Sequence, residues 1–380
     1  ESYTENKAVA GLLKDENKPE EPDNSRTKYE EVQRMLFSMG WAGPMWTAEQ
    51  EASAKKILHS MLVQENDICL FVSAVTLSLV EVFDKHRLMF LFEAYSHENP
   101  QVNQRALVGL VIAFQLHHAR LAFYPEITSR LALLNEDDKF AQELNRVQIQ
   151  FLRSKDTEKI NKKMRDEIIP EMIRNANAHN MRINPDDHAE EGDDFNPDWA
   201  EELENSPLAD KLREMTELQM EGSDVYMSTF SSLKNFPFFK EIANWFYPFD
   251  KQPSLAAEEL GNGSGSKILD LILESSFFCD SDKYSLLFTM KTIPKAHRES
   301  MIRQLSDQQV DELMNNEKAN SMKAFSGKPK IVSNMYIHNL YRFFKLFSYR
   351  HEFLDIFNEP MHLNEYPVLK EIMYKEDLLK

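Results

Sequence analysis

Asp186, Asp187, Asp193, Asp194 and Asp198 set carboxylates close together on residues 184–207, a stretch with ten Asp or Glu and no Lys or Arg. Alternating carboxylates on a loop are how a hard cation such as calcium is held. The twelve-residue calcium loop needs acids at positions 1, 3 and 5, glycine at 6 and Glu at 12, and this stretch does not keep that spacing. It reads as a solvated acidic loop or a docking tract, and no metal is expected there. His117 and His118 also carry ligand-type side chains. Adjacent helical positions point about 100° apart, so the two do not readily share one ion. A role at a helix C-terminus, where imidazolium meets the negative end of the dipole, fits them better. His351 and His362 lack Cys or carboxylate partners at ligand spacing.

Nucleophile and nucleotide signatures are missing from the sequence. There is no G-x-S-x-G elbow, no G-x-x-x-x-G-K phosphate loop, no G-x-G-x-x-G after a strand and no H-E-x-x-H. The close glycines of Gly261–Ser266 (GNGSGS) follow no apolar strand and read as a linker. A glycosidase pair cannot be chosen among 62 acidic residues by spacing alone. No catalytic residue and no cofactor is therefore assigned.

A dense aromatic block is the strongest candidate for binding. Phe236, Phe238, Phe239, Trp245, Phe246, Tyr247 and Phe249 are interrupted by Pro237 and Pro248, which rules out one regular helix. Such rings either plug the core as a loop-rich segment or present a surface on which Trp and Tyr anchor a partner peptide. Single-stranded nucleic acid is disfavoured, since only Lys234 and Lys240 accompany the rings.

Helices must position these groups. With 42% hydrophobic and 11% aromatic residues the chain can bury a core, and only ten glycines favour helix over sheet. No apolar run is long enough to span a membrane. A net charge of −18 argues against nucleic acid and favours solubility or a basic protein partner. Cys69 and Cys279 lie far apart in apolar surroundings and read as two buried free thiols, with one disulfide the alternative; free thiols point towards a reducing, cytoplasmic compartment. The first and last residues, ESYTENKAVA and EIMYKEDLLK, look like cuts in a longer polypeptide.

Three apolar helices with almost no loop between them dominate residues 67–121, with Asp67 and Asp84 able to open helices and Pro100 at a first helical position. Thr47 and Gln50 form a capping box for a helix over 48–63, and Ser306 with Gln309 forms another. Further helices are predicted near 25–38, 125–134, 137–153, 281–291 and 331–347, with a long one from Asp156 that Pro170 should kink. Val102, Ala106, Leu107, Leu110 and Val111 make one stripe, and small Ala106 and Gly109 should let a neighbouring helix come close.

In residues 85–115 the run Asn99, Pro100, Val102, Arg105, Ala106, Leu107, Leu110 resembles a HEAT-type repeat. Over its length the chain is similar to uncharacterised Bacteroides-group proteins bearing tetratricopeptide repeats, through ICLFVSAVTLSLVEVFD, NPQVNQRALVGLVIAF, the segment from NPDWAEELENSPL to NFPFF, and SFFCDSDKYS. The resemblance implies an internal piece of a longer protein and supplies no catalytic residue. The tetratricopeptide Trp-Leu-Gly-Tyr and Ala spacing is not visible here.

The expected fold is all-α, an α-solenoid-like array of antiparallel helix pairs. Residues 1–29 are an N-terminal segment and charged linker, 30–183 a HEAT-like section, 184–206 the acidic loop and 207–380 a more irregular helical section. The expected role is a non-enzymatic scaffold or adaptor for another protein. The alternatives are a hydrolase or transferase with its site between the two sections, and a structural subunit of a larger assembly.

Overall fold

The computed structural model describes residues 24–136, 138–171, 174, 207–250, 278–293 and 328–372, and among them every regular element is helical. The elements are α1 (Asn24–Trp41), α2 (Ala48–Leu58), α3 (Glu65–Glu81), α4 (Lys85–Tyr95), α5 (Pro100–Leu121), α6 (Pro125–Leu134), α7 (Asp138–Ser154), α8 (Thr157–Lys163), α9 (Pro207–Glu221), α10 (Met227–Ser231), α11 (Asp280–Thr292), α12 (Pro329–Leu346) and α13 (Pro367–Ile372). The capping box at 306–309, the linker at 261–266 and the acidic stretch at 184–206 lie outside the described residues.

Local chemistry accounts for most helix starts. Thr47 and Gln50 close their capping box on α2, and Asn99 accepts the Gln101 N–H with Pro100 in the first turn of α5. Asp84 accepts the N–H groups of His86 and Arg87, opening α4. The Trp46 N–H also donates to it at 2.7 Å, which ties the entry of α2 to the start of α4. Asp67 does something else. The helix α3 begins two residues earlier behind Gln64, whose side chain makes no cap bond, and Asp67 is buried under α1. The linker expectation for 1–29 also shortens, because α1 already begins at Asn24.

α3 and α5 form the centre. α3 is buried continuously from Asp67 to Val80, and Val102, Ala106, Leu107, Leu110 and Val111 of α5 are each fully enclosed. Gly109 makes this pairing possible: a Cβ there would stand 3.0 Å from Leu91 Cδ1 and closer still to Thr76 Oγ1. Around this pair, α1 covers α3, α4 lies on both, and α7 and α12 cover α5.

One hydrophobic core runs from Phe37 to Leu369, so the described parts of both sections share it. In a repeat array each unit meets only its chain neighbours; α3, α4 and α5 pack on one another, yet α3 also takes α1, and α5 takes α7 and α12. That neighbour-only rule does not hold for α12, which packs on α5 and α7, nor for Arg105, whose bond to Asp280 spans 175 positions. A small second cluster joins Ile160 and Ile168 to Met215 and Val225, on either side of the acidic stretch. Before Pro170 the helix widens into a π turn at Met164–Ile168, with the Ile169 N–H reaching back to the Met164 carbonyl. Proline lacks an N–H and its ring crowds the carbonyl four residues earlier, so the irregularity falls on the turn before it.

Candidate functional site

The aromatic block forms two short 3-10 turns, Pro237–Lys240 and Ala243–Trp245, rather than a helix. Its rings face inward. Phe246 and Trp245 are essentially unexposed, Phe238, Phe239 and Tyr247 are buried, and Phe236 and Phe249 pack against the same core. The Trp245 indole N–H donates to the Phe239 carbonyl at 2.8 Å, and its ring meets Phe239 at 5.0 Å and Phe343 at 5.9 Å. Phe246 stacks on Phe37 of α1, and Phe238 lies against Tyr284 and Phe288 of α11. Of the two readings open at the sequence level, the plug is what the packing shows. Rings this enclosed offer a partner no surface, because burial already uses their apolar area.

Beside the plug lies a buried set of charged side chains, of which only Lys234 was noted in the sequence, as a cation beside the rings. Arg342 of α12 grips two carboxylates: it donates to Asp224 through Nη1 and, at 2.9 Å, through Nη2. It reaches Asp282 through Nε at 3.2 Å and Nη2 at 2.9 Å. Lys234 donates to Asp282 at 2.8 Å, Ser285 at 2.9 Å and Ser281 at 3.1 Å. All four charged groups are buried. Burial alone would raise the Asp224 carboxyl, but the Arg342 charge, then His338, the Arg342 hydrogen bonds and the Tyr226 N–H together outweigh it and hold it down to about 2. Asp282 is lowered likewise, where burial is overcome by Arg342 and then Lys234. Burial pulls the Lys234 ammonium down, against the opposing charge of Asp282. His338, one turn before Arg342, is also lowered by burial, and its Nε2 lies 3.1 Å from the Gly222 carbonyl and 3.2 Å from Gln150 Nε2.

Two cations face two carboxylates, and each is occupied by its neighbours. Lys234 is ringed by three oxygens and lies 4.8 Å from the Phe239 ring centre, so no lone pair or open face is presented to a substrate. Such a closed set holds elements together, here α11, α12 and the segments on either side of α10.

Another buried carboxyl, Asp67, is held differently. It accepts from the Tyr29 hydroxyl and, at 2.7 Å, from Gln33 Nε2, both on α1. Asp250 lies nearby, accepting from Asn66 at 3.4 Å, and the Tyr247 phenol faces both acids. Burial pushes the Asp67 carboxyl above its ordinary value; the bonds from Tyr29 and Gln33 pull it back, and the Asp250 charge adds to the rise.

The two histidines separate, as their helical positions require. His117 has a non-helical backbone that kinks α5 where the sequence ended the helix, and its Nε2 lies 2.6 Å from the Leu79 carbonyl. It therefore serves a C-terminal carbonyl, but of the neighbouring helix α3. His118 stacks on Tyr366 with ring centres 3.7 Å apart. Cys69 and Cys279 are both free and buried. Among the described residues no group of His, Cys, Asp and Glu is placed to hold a metal, and no helix is long and apolar enough to cross a membrane.

A cleft of 440 Å³ opens where α4, α6 and α7 end or begin, lined by Tyr95, His97, Asn103, Lys139 and Glu143 among others. Its polar groups engage one another: the Tyr95 hydroxyl donates to Glu143 at 2.8 Å, and His97 Nδ1 accepts the Asn99 N–H at 3.1 Å. The strongly shifted groups of Asp224, Asp282 and Arg342 do not line it.

Set against family models, curated proteins and solved structures, the chain matches none.

Proposed function

We propose that the chain is a non-enzymatic helical scaffold or adaptor that binds another protein, with the helix pair α4–α5 arranged in the HEAT-like manner its sequence suggests. The observation that supports this most is the closure of the Arg342–Asp224–Asp282–Lys234 set. These buried charged groups serve one another inside the core instead of converging on a cleft.

With the aromatic block enclosed, binding falls to other apolar side chains. On α1, Val32, Met35 and Met39 lie outward at i, i+3 and i+7, Met35 and Met39 being 64% and 66% exposed. This is the spacing against which an amphipathic helix of a partner packs, and methionine adapts to an incoming surface. The overall charge of −18 steers a basic partner towards the chain.

The test uses the whole chain and the double variant Met35→Glu with Met39→Glu, which alters exposed positions only. A protein captured by the intact chain is purified and its affinity measured directly. Binding should weaken at least tenfold in the double variant with the melting temperature unchanged. Equal affinity in both chains contradicts the assignment of this face.

A further inference from the structure

α1 is fastened at its two ends by different chemistry. Its C-terminal half is held by packing: Phe37 is buried against Phe246, Gly40 lets Ala74 and Phe71 approach within about 3 Å of where its Cβ would lie, and Trp41 stacks on Phe353 at 5.9 Å. Its N-terminal half meets α3 through polar groups. The two oxygens of one buried carboxyl, Asp67, take Tyr29 and Gln33, so a single titratable group carries both bonds. The titratable groups facing that carboxyl are Tyr29 from α1, and Tyr247 and Asp250 from the segment after the aromatic turns.

We propose that Asp67 is a proton-operated latch on the N-terminal half of α1: the protonated carboxyl holds the helix on α3, and ionisation beside Asp250 loosens it. The geometry permits both states. A protonated Asp67 keeps an oxygen to accept from Gln33 and gains an O–H that the Tyr29 hydroxyl can accept, so both contacts survive uptake of the proton. Loss of the proton puts a charge into a buried site next to a second carboxylate. Because burial raises the folded-state value above the ordinary 3.8, the latch contributes fully below that value and its contribution is lost as pH rises through the folded one. The same helix bears Val32, Met35 and Met39, so the latch would regulate the face assigned above to a partner. Only that consequence rests on the proposed function.

Amide hydrogen exchange of residues 28–36, corrected for intrinsic rates, reads the latch directly as pH is raised from the ordinary carboxyl value of 3.8 upwards. In the intact chain the protection factor should fall as pH rises, by up to about tenfold for each pKa unit that Asp67 stands above its ordinary value. Residues 37–41 should not follow. In Asp67→Asn, neutral throughout, protection should be independent of pH. Asp250→Asn should move the midpoint to lower pH by removing the neighbouring charge, and this arm decides if Asp67→Asn fails to fold. A flat profile in the intact chain, the same fall in Asp67→Asn, or an unmoved midpoint in Asp250→Asn overturns the proposal. If the profile is as expected but no protein binds α1 at any pH, the adaptor reading fails and the latch stands.

Discussion

Two buried carboxylate sites in this molecule respond to burial in opposite directions. At Asp224 and Asp282 the cost of desolvation is overcome by Arg342 and Lys234, and both acids are more acidic than usual. At Asp67 the partners are a phenol and an amide, with Asp250 adding a like charge, and the acid is weaker than usual. Both sites are enclosed, so depth does not decide the sign; the charge of the partners does. The first site is a permanent fastening at neutral pH, because a carboxylate held down to about 2 stays ionised far above that. The second gives up its proton only above the ordinary carboxyl value, so its state is the one that changes as pH rises.

The largest expected effect follows from breaking the first site at its hub. Arg342→Ala leaves two buried carboxylates with Lys234 alone, and loss of one partner from a buried ion pair costs about 3–5 kcal/mol. Urea unfolding should show that loss, and a change under about 1 kcal/mol would mean the pairing contributes little.

A smaller effect tests the sign. Asp224→Asn should cost about 1–3 kcal/mol at pH 7, since Arg342 retains Asp282. The folded value lies below the ordinary 3.8, so the Asp224 contribution is present above that pH and lost as pH falls towards about 2. The stability gap between intact and variant chains should therefore narrow from pH 5 to pH 3. The smallest effect is expected of Asp67→Asn, whose pH trend runs the other way and is local to α1.

Features set by local chemistry were legible in the sequence, and features made by distant partners were not. The caps at Thr47 and Asp84 and the first-turn Pro100 act within three or four residues, and each stands as expected. Gly109 on the apolar stripe of α5 marked the close helix approach that the fold contains. The all-α class followed from composition and period. Arg342 escaped notice because its partners stand 60 and 118 positions away, where no periodicity reports them. One signal was present. The helix α12 is rich in Tyr and Phe yet carries His338, Asn339 and Arg342, and a helix buried nearly all round must pair such groups. Asp67 was read as a helix start because an acid before an apolar run fits a cap; that carboxyl instead faces α1, 34 and 38 positions earlier in the chain. The aromatic block was legible as a break in helicity, while its inward orientation depended on α1, α11 and α12 closing over it.

One core unites the described parts of both sections, and its charges serve that union. Native-state hydrogen exchange in increasing denaturant tests this most directly, comparing α3 and α5 with α11 and α12. A shared core predicts that the four helices lose protection in one transition with a common midpoint and slope. Separate transitions, with α11 and α12 opening while α3 and α5 stay protected, would contradict it.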